Sequence, residues 1–278
     1  MQIKFTKMEG IGNDYIYIDG INQDFQINEN IIKKISKRHF GIGSDGVIII
    51  RPSSDCDFLM EMYNADGSMG KMCGNGIRCF AKFCYDHKLT DKTHLVIETG
   101  AGIREVDLIL DDGIVIGARV DMQKPILTCS KIPVVCQEEE MIDEHVKIGD
   151  NVYGLTAISM GNPHVVTFVG SLDFDLEKVG PEFENHPMFP ESVNAEFVQI
   201  VSRSKLKMRV WERGSHETLA CGTGACAVMY AAYLNGYVDE VVDVELLGGT
   251  LKIEYDKQTG HIFMTGDATT VFEGTVEF

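Results

Sequence analysis

After Cys73, apolar residues recur at Ile77, Phe80, Ala81 and Cys84, the i, i+3, i+4, i+7 spacing of a helix with one buried stripe. The stretch "ACAVMYAAYL" from Ala225 is apolar nearly all round, which predicts a helix enclosed on every side. A third helical pattern, "NIIKKISKRH", precedes the short run "VIII". Other runs are rich in β-branched and apolar residues: "HLVIET", "LILDDGIVIGARV", "VVTFVG", "LKMRVW" and "VVDVELL". They read as strands, with "DDG" as a hairpin turn.

The pattern repeats. "YNADGSMGKMCGNGIRCFAKFCY" from Tyr63 and "WERGSHETLACGTGACAVMYAAY" from Trp211 each place a cysteine eleventh, so that Cys221 follows Cys73 by the same 148 residues that separate Trp211 from Tyr63. The offset continues from "VIETGAGI" (96–103) to "VELLGGTL" (244–251), and "GND" at Gly12 faces "GNPH" at Gly161. Self-similarity of this kind marks duplicated units. The predicted fold class is α+β: two pseudo-symmetric halves, each a curled, mostly antiparallel sheet around a central helix. The first half is expected to span 1–120 and to take back the segment 264–278. The second spans 121–263, and Pro125 and Pro133 flank the crossover.

A length of 278 residues suits two domains. The apolar share of 44% and charged share of 24% are those of ordinary globular proteins. A net charge of −17 repels phosphate backbones and anionic lipid, and so argues against nucleic-acid and membrane partners. The N-terminal "MQIKFTKMEGIGNDY" lacks signal-peptide features and no apolar run is long enough to span a bilayer, which predicts a cytoplasmic location. Eight cysteines, at 56, 73, 79, 84, 129, 136, 221 and 226, are then expected as reduced thiols, most of them buried.

"GIGSDG" (41–46) matches a dinucleotide-binding spacing, but a helix precedes it and a strand follows, the reverse of what that motif needs. No zinc or EF-hand spacing occurs, so no metal is expected. The paired Cys-Gly-x-Gly steps are more informative. A helix N-terminus lowers a thiol pKa, and adjacent glycine N–H groups can hold a carboxylate. A single such cysteine is as readily a packing residue; two at matched positions argue for chemistry. Inverting a carbon stereocentre needs a base on one face and an acid on the other. A cleft between two related halves would set one sulfur on each side.

Together "GIGNDY", "GIGSDG", "YNADGSMGKMCGNG", "MGNPHVV", "SVNAEFV" and "ERGSHETLACGTGACA" resemble the diaminopimelate epimerase family, in register over nearly the whole chain. The resemblance implies a cofactor-independent isomerase, a homodimer, that interconverts LL- and meso-diaminopimelate, a step in lysine and peptidoglycan precursor synthesis. It implies that Cys73 and Cys221 are the catalytic pair and that His164 and Glu212 tune the thiols. Gly74, Asn75, Gly222 and Thr223 would hold the reacting carboxylate. Asn13, Asn64, Asn162, Asn194, Glu212 and Arg213 would bind the distant amino-acid end.

The residue chemistry agrees in part. Arg213 offers a planar donor fork for a second carboxylate, although a lone arginine is usually a solvated surface residue. His164 reads equally well as a structural histidine, and single asparagines are common in turns. There are also departures. Gly46 stands where some family members carry glutamine, and Asp267 stands where proline is usual. The nearest alternative is a proline or hydroxyproline racemase, whose first cysteine usually lies in "CGHG" rather than the "CGNG" found here. A non-catalytic binding module or a thiol-redox protein is the alternative from another class, but a redox pair would favour C-x-x-C.

Overall fold

The structure, a computed structural model, describes residues 2–277. The chain forms two compact units, Met1–Asp121 with Thr265–Phe278, and Met122–Met264. The first contains β1 (Gln2–Gly10), β2 (Asn13–Asp19), α1 (Glu29–Ser36), β3 (Gly46–Arg51), β4 (Phe58–Asn64), β5 (Met69–Gly70), α2 (Gly74–Asp86), β6 (His94–Thr99), β7 (Gly102–Asp111) and β8 (Ile114–Asp121). The second contains β9 (Glu144–Ile148), β10 (Asn151–Ser159), β11 (Pro163–Phe168), α3 (Leu176–Glu184), β12 (Asn194–Ser202), β13 (Lys205–Glu212), β14 (His216–Glu217), α4 (Gly222–Leu234), β15 (Val241–Leu246) and β16 (Gly249–Tyr255). Strand β17 (Ile262–Asp267) carries the chain back, and β18 (Thr269–Glu277) pairs antiparallel with β1 from Gln2↔Glu277 to Glu9↔Thr269.

The duplication seen in the sequence is a duplication of topology. In the first unit β2 runs parallel to β3 and β4 parallel to β6, with the other pairings antiparallel. In the second, β11–β12 and β13–β15 are the parallel pairs in the same places. Each parallel pair needs a crossover, and a helix supplies it: α1 or α3 for one pair, α2 or α4 for the other. The sheets are thus mixed within the predicted mostly antiparallel, α+β plan.

The crossovers explain the apolar patterns. Val47 and Ile49 of β3 pack with Ile32 and Ile35 of α1, while Ile48 lies against Gly76 of α2. A strand covered on both faces reads as a continuous apolar run, hence "VIII". In the second unit Ala195 and Phe197 of β12 pack with Leu176 and Phe183 of α3, and the residue between them, Glu196, faces α4 at Gly224. Helix α4 touches six strands of its unit, which is why it needs no polar face. Gly236 stops it in the left-handed region, φ 73°, and Tyr237 N–H closes the last turn on Ala232 C=O at 2.9 Å. The "DDG" turn joins β7 to β8 with Asp112 and Gly113 both at positive φ, the backbone of a two-residue type I′ hairpin.

Two local expectations need correction, and one helix was not foreseen. Helix α1 ends at Ser36, short of the predicted His39, because Lys37 is extended. Helix α3 gave no sequence signal: Pro181 sits within it, which ordinarily breaks a helix. The thiols are not all reduced, since Cys129 and Cys136 form a disulfide with Cα atoms 6.5 Å apart. A 3₁₀ turn at Cys129–Lys131 folds this short segment back on itself and brings the two cysteines together.

Close packing of α3 yields a stability prediction. A Cβ on Gly180 would overlap the indole of Trp211, a fully buried side chain. Overpacking a core typically costs about 1–3 kcal/mol, so Gly180→Ala should lower the thermal midpoint despite the better helix propensity of alanine. Thermal denaturation followed by circular dichroism checks this; an unchanged or raised midpoint would show that Trp211 has room to move.

Candidate active site

Both cysteines are helix N-caps in extended backbone. Cys73 precedes α2 at φ −129°, ψ 121°, and its Sγ accepts from Gly76 N–H at 3.3 Å. Cys221 precedes α4 at φ −125°, ψ 106°, and its Sγ accepts from Gly224 N–H at 3.4 Å. An extended residue before a helix ordinarily caps it with an oxygen; here sulfur does so twice. The glycines are required by space. A Cβ on Gly76 would stand 2.8 Å from Ile48 Cδ1, and one on Gly224 would stand 2.8 Å from Glu196 Oε1. Gly74, Asn75, Gly222 and Thr223 form the first turns, where backbone N–H groups have no intrahelical acceptor.

In the first unit the fold brings Asn13 to Cys73: the thiol donates to Asn13 Oδ1 at 3.1 Å, and Asn13 Nδ2 donates to Asp45 Oδ2 at 2.7 Å. Asp45 also accepts from Asp14 N–H and pairs with Arg38 at 2.9 Å, and Arg38 and Lys7 both bind Asp14. The asparagine amide is thereby held with its oxygen toward the sulfur. Tyr15 lies against the same group; burial, then the charges of Cys73 and Asp45, raise its pKa well above the usual phenol value. Asn75 is buried with Oδ1 on Arg78 Nη1 at 3.0 Å. Asn64, at the end of β4, donates to Ser68 Oγ at 3.0 Å rather than to the Asn13 group. Gly46 pairs with Asn64, and a Cβ there would overlap the Tyr63 carbonyl, so this backbone leaves no room for a glutamine.

In the second unit His164, Asn194 and Glu212 lie on the neighbouring strands β11, β12 and β13, with Asn162 and Arg213 in the turns beside them. His164 is fully buried, with Nδ1 2.6 Å from Glu196 Oε1 and Nε2 3.0 Å from Asn162 Oδ1. Asn194 donates to Pro163 C=O at 2.7 Å and accepts Arg213 N–H at 3.0 Å. The turn that carries Arg213 is pinned from α3, where Glu184 accepts from Trp211 Nε1 at 2.7 Å and from Gly214 N–H at 2.8 Å. The exposed Arg213 side chain donates to Glu191 C=O at 2.9 Å, and Glu212 accepts from the Thr218 hydroxyl.

A helix N-terminus by itself lowers a thiol pKa. At Cys221 the result is reversed: burial, then the carboxylates of Glu212 and Glu196, push the thiol well above its ordinary value, against smaller lowering from Thr223 and Gly224 N–H. Burial likewise raises Glu196, opposed by His164. Burial and the two carboxylates thus disfavour the thiolate at Cys221. Asp45 and Glu196 are the polar partners that motif reading missed, although both lie inside quoted blocks, "GIGSDG" and "SVNAEFV". The repeat offset contained the missing signal, since it sets Glu196 opposite the apolar Ile48.

Among the described residues no group of three or more His, Cys, Asp and Glu side chains could hold a metal ion, and no helix is long and apolar enough to cross a membrane. The diaminopimelate epimerase family model matches residues 5–128 and 156–271. A protein named diaminopimelate epimerase from Methanococcus maripaludis is 52% identical over 276 residues, covering 99% of this chain and 100% of that one. Its counterpart from Agathobacter rectalis is 53% identical over 283 residues, covering 99% of each. The crystal structure of a probable proline racemase from Agrobacterium radiobacter, with bound carbonate, aligns at a TM-score of 0.73 and 15% identity, covering 99% of this chain and 93% of that one. At that identity the likeness speaks for the fold alone, a racemase-like α+β fold. A family model that matches most of the chain, together with full-length similarity at about half identity, shows that the chain belongs to the diaminopimelate epimerase family.

Proposed function

We propose that the protein interconverts LL- and meso-2,6-diaminopimelate by moving one α-proton between two sulfurs, without a cofactor. The observation that carries this reading is the twofold occurrence of one device: a cysteine N-cap whose sulfur rests on the N–H of the second glycine of Cys-Gly-x-Gly. One sulfur, as thiolate, takes the α-proton and becomes a thiol. The other, as thiol, gives its proton to the opposite face and becomes a thiolate, so charge and protons balance and the reverse reaction exchanges the roles. The planar, enolate-like intermediate places extra negative charge on the α-carboxylate. The N–H groups at the start of α2 and α4, at Gly74, Asn75, Gly222 and Thr223, are suited to that charge because they lack helical acceptors.

Asn13, Asn64, Asn162, Asn194, Glu212 and Arg213 are assigned to the distant amino-acid end, whose ammonium and carboxylate need an acceptor and a cationic fork. His164 and Glu212 act on the thiols. The same reading carries a homodimer in the cytoplasm, with a small-molecule partner and neither nucleic acid nor membrane. Incubating the purified protein with LL-diaminopimelate, L-proline and trans-4-hydroxy-L-proline tests it. Inversion of the first alone is expected, whereas turnover of either proline with inert diaminopimelate would favour a proline racemase.

A further inference from the structure

The two Cys-Gly-x-Gly turns are built alike but backed differently. Behind Gly76 stands Ile48; behind Gly224, at the matched position 148 residues later, stands Glu196. The neighbouring strand differs too, with Tyr15 in the first copy and His164 in the second. Glu196 is fully buried on a strand face that is apolar in the first copy, and its Oε1 is bonded to His164 Nδ1 at 2.6 Å. The charged and titratable groups around it are His164 from β11, Glu212 from β13 and Cys221 at the start of α4. Burying a carboxyl at such a site is costly and calls for a use.

We propose that Glu196 is a positioning residue that keeps Cys221 in its thiol form, so that the resting protein holds one sulfur acid and one sulfur able to serve as base. This rests on the two-cysteine reading above and adds to it a residue that, beside burial and Glu212, makes the sulfurs unequal. Epimerisation needs one proton on the pair; two thiols lack a base and two thiolates lack an acid. A carboxylate beside Cys221 opposes the pull of the helix N-terminus toward thiolate. Ile48 supplies no such charge to Cys73. The His164 bond keeps the carboxyl against Gly224, whose N–H holds the Cys221 sulfur.

The test is a pH titration of the full chain carrying ¹³Cβ-labelled cysteine, read by NMR, with the two signals assigned from alanine variants. In the parent, Cys221 should ionise at higher pH than Cys73. In Glu196→Gln the Cys221 midpoint should fall by about one pH unit, roughly tenfold more thiolate at a given pH below it. Cys73 should stay in place, and the alkaline limb of kcat/KM should move down with Cys221. Glu196→Asp keeps the charge and should keep the high midpoint. An unmoved Cys221 midpoint in Glu196→Gln, an equal fall in Glu196→Asp, or a parent in which Cys221 ionises at or below Cys73 would overturn the proposal. The last outcome needs no variant to fold. Each would leave the two-cysteine reading standing, because that reading fails only if alanine at Cys73 or Cys221 leaves epimerisation intact.

Discussion

Cys73→Ala is expected to lower the epimerisation rate by about 10²- to 10⁴-fold, the range for loss of a positioned acid or base, and Cys221→Ala should do the same. Each direction needs both a proton acceptor and a proton donor, so neither sulfur is dispensable in either. The substitution also removes a helix cap, since each Sγ accepts from the N–H of Gly76 or Gly224; some loss of stability, up to about 1 kcal/mol, should accompany it. Serine separates the two effects: Cys73→Ser restores a capping oxygen, yet it should stay nearly as slow as alanine because a hydroxyl is a far weaker acid than a thiol. Cys56→Ala is the control, being a free thiol outside both turns, and should keep the parent rate. Initial rates with LL-diaminopimelate decide the matter. A Cys73→Ala rate within tenfold of the parent would remove this sulfur from the chemistry.

Arg213→Lys is expected to reduce kcat/KM for diaminopimelate by roughly 10- to 100-fold, the worth of about 1.5–3 kcal/mol for hydrogen bonds to a charged group. Lysine keeps the charge but not the planar fork that grips a carboxylate with two parallel bonds. The turn that carries Arg213 is fixed while its side chain stays accessible: Asn194 holds the Arg213 N–H, Glu184 pins Gly214 and Trp211, and the exposed guanidinium donates to Glu191 C=O. Because the turn is fixed through its backbone, the fold of the variant should be undisturbed, and the loss should appear mainly in KM. Parent-like kinetics would place Arg213 outside the substrate site.

Features that reside in the sequence pattern itself were legible from it. The 148-residue offset, the helices after the two cysteines and the "DDG" hairpin all depend on local periodicity or turn chemistry, and each corresponds to an element of the fold. Features that depend on a third dimension were not. Helix α3 runs through Pro181 because Phe183 and Leu176 are buried in the core, a tertiary gain that overrides local propensity. The Cys129–Cys136 bond follows from a short turn that composition does not reveal. At the candidate site, the motifs picked out Asn13 as a substrate contact and His164 as a group that acts on the thiols. Asp45 and Glu196, which hold them in place, were passed over because a single Asp or Glu in a strand or loop matches no local motif; only the repeat offset, which sets Glu196 opposite Ile48, marks one of the two. The effect of the helix start on Cys221 was misjudged for the same reason: the backbone contribution can be foreseen from Gly-Thr-Gly, but burial and two carboxylates from β12 and β13 outweigh it.

In the proposed reaction two sulfurs, one as base and one as acid, act on one α-carbon. Its most direct test is the reaction of LL-diaminopimelate in D₂O, stopped early and analysed for deuterium separately in substrate and product. A thiol gives back the proton it took only by returning it to the same face, while the opposite face is served by a sulfur equilibrated with solvent. Meso product is therefore expected to carry one solvent deuterium from the first turnovers, while recovered LL substrate remains protiated at its α-carbons. Deuterium entering the unreacted LL pool as fast as product forms, or product formed without solvent deuterium, would contradict it.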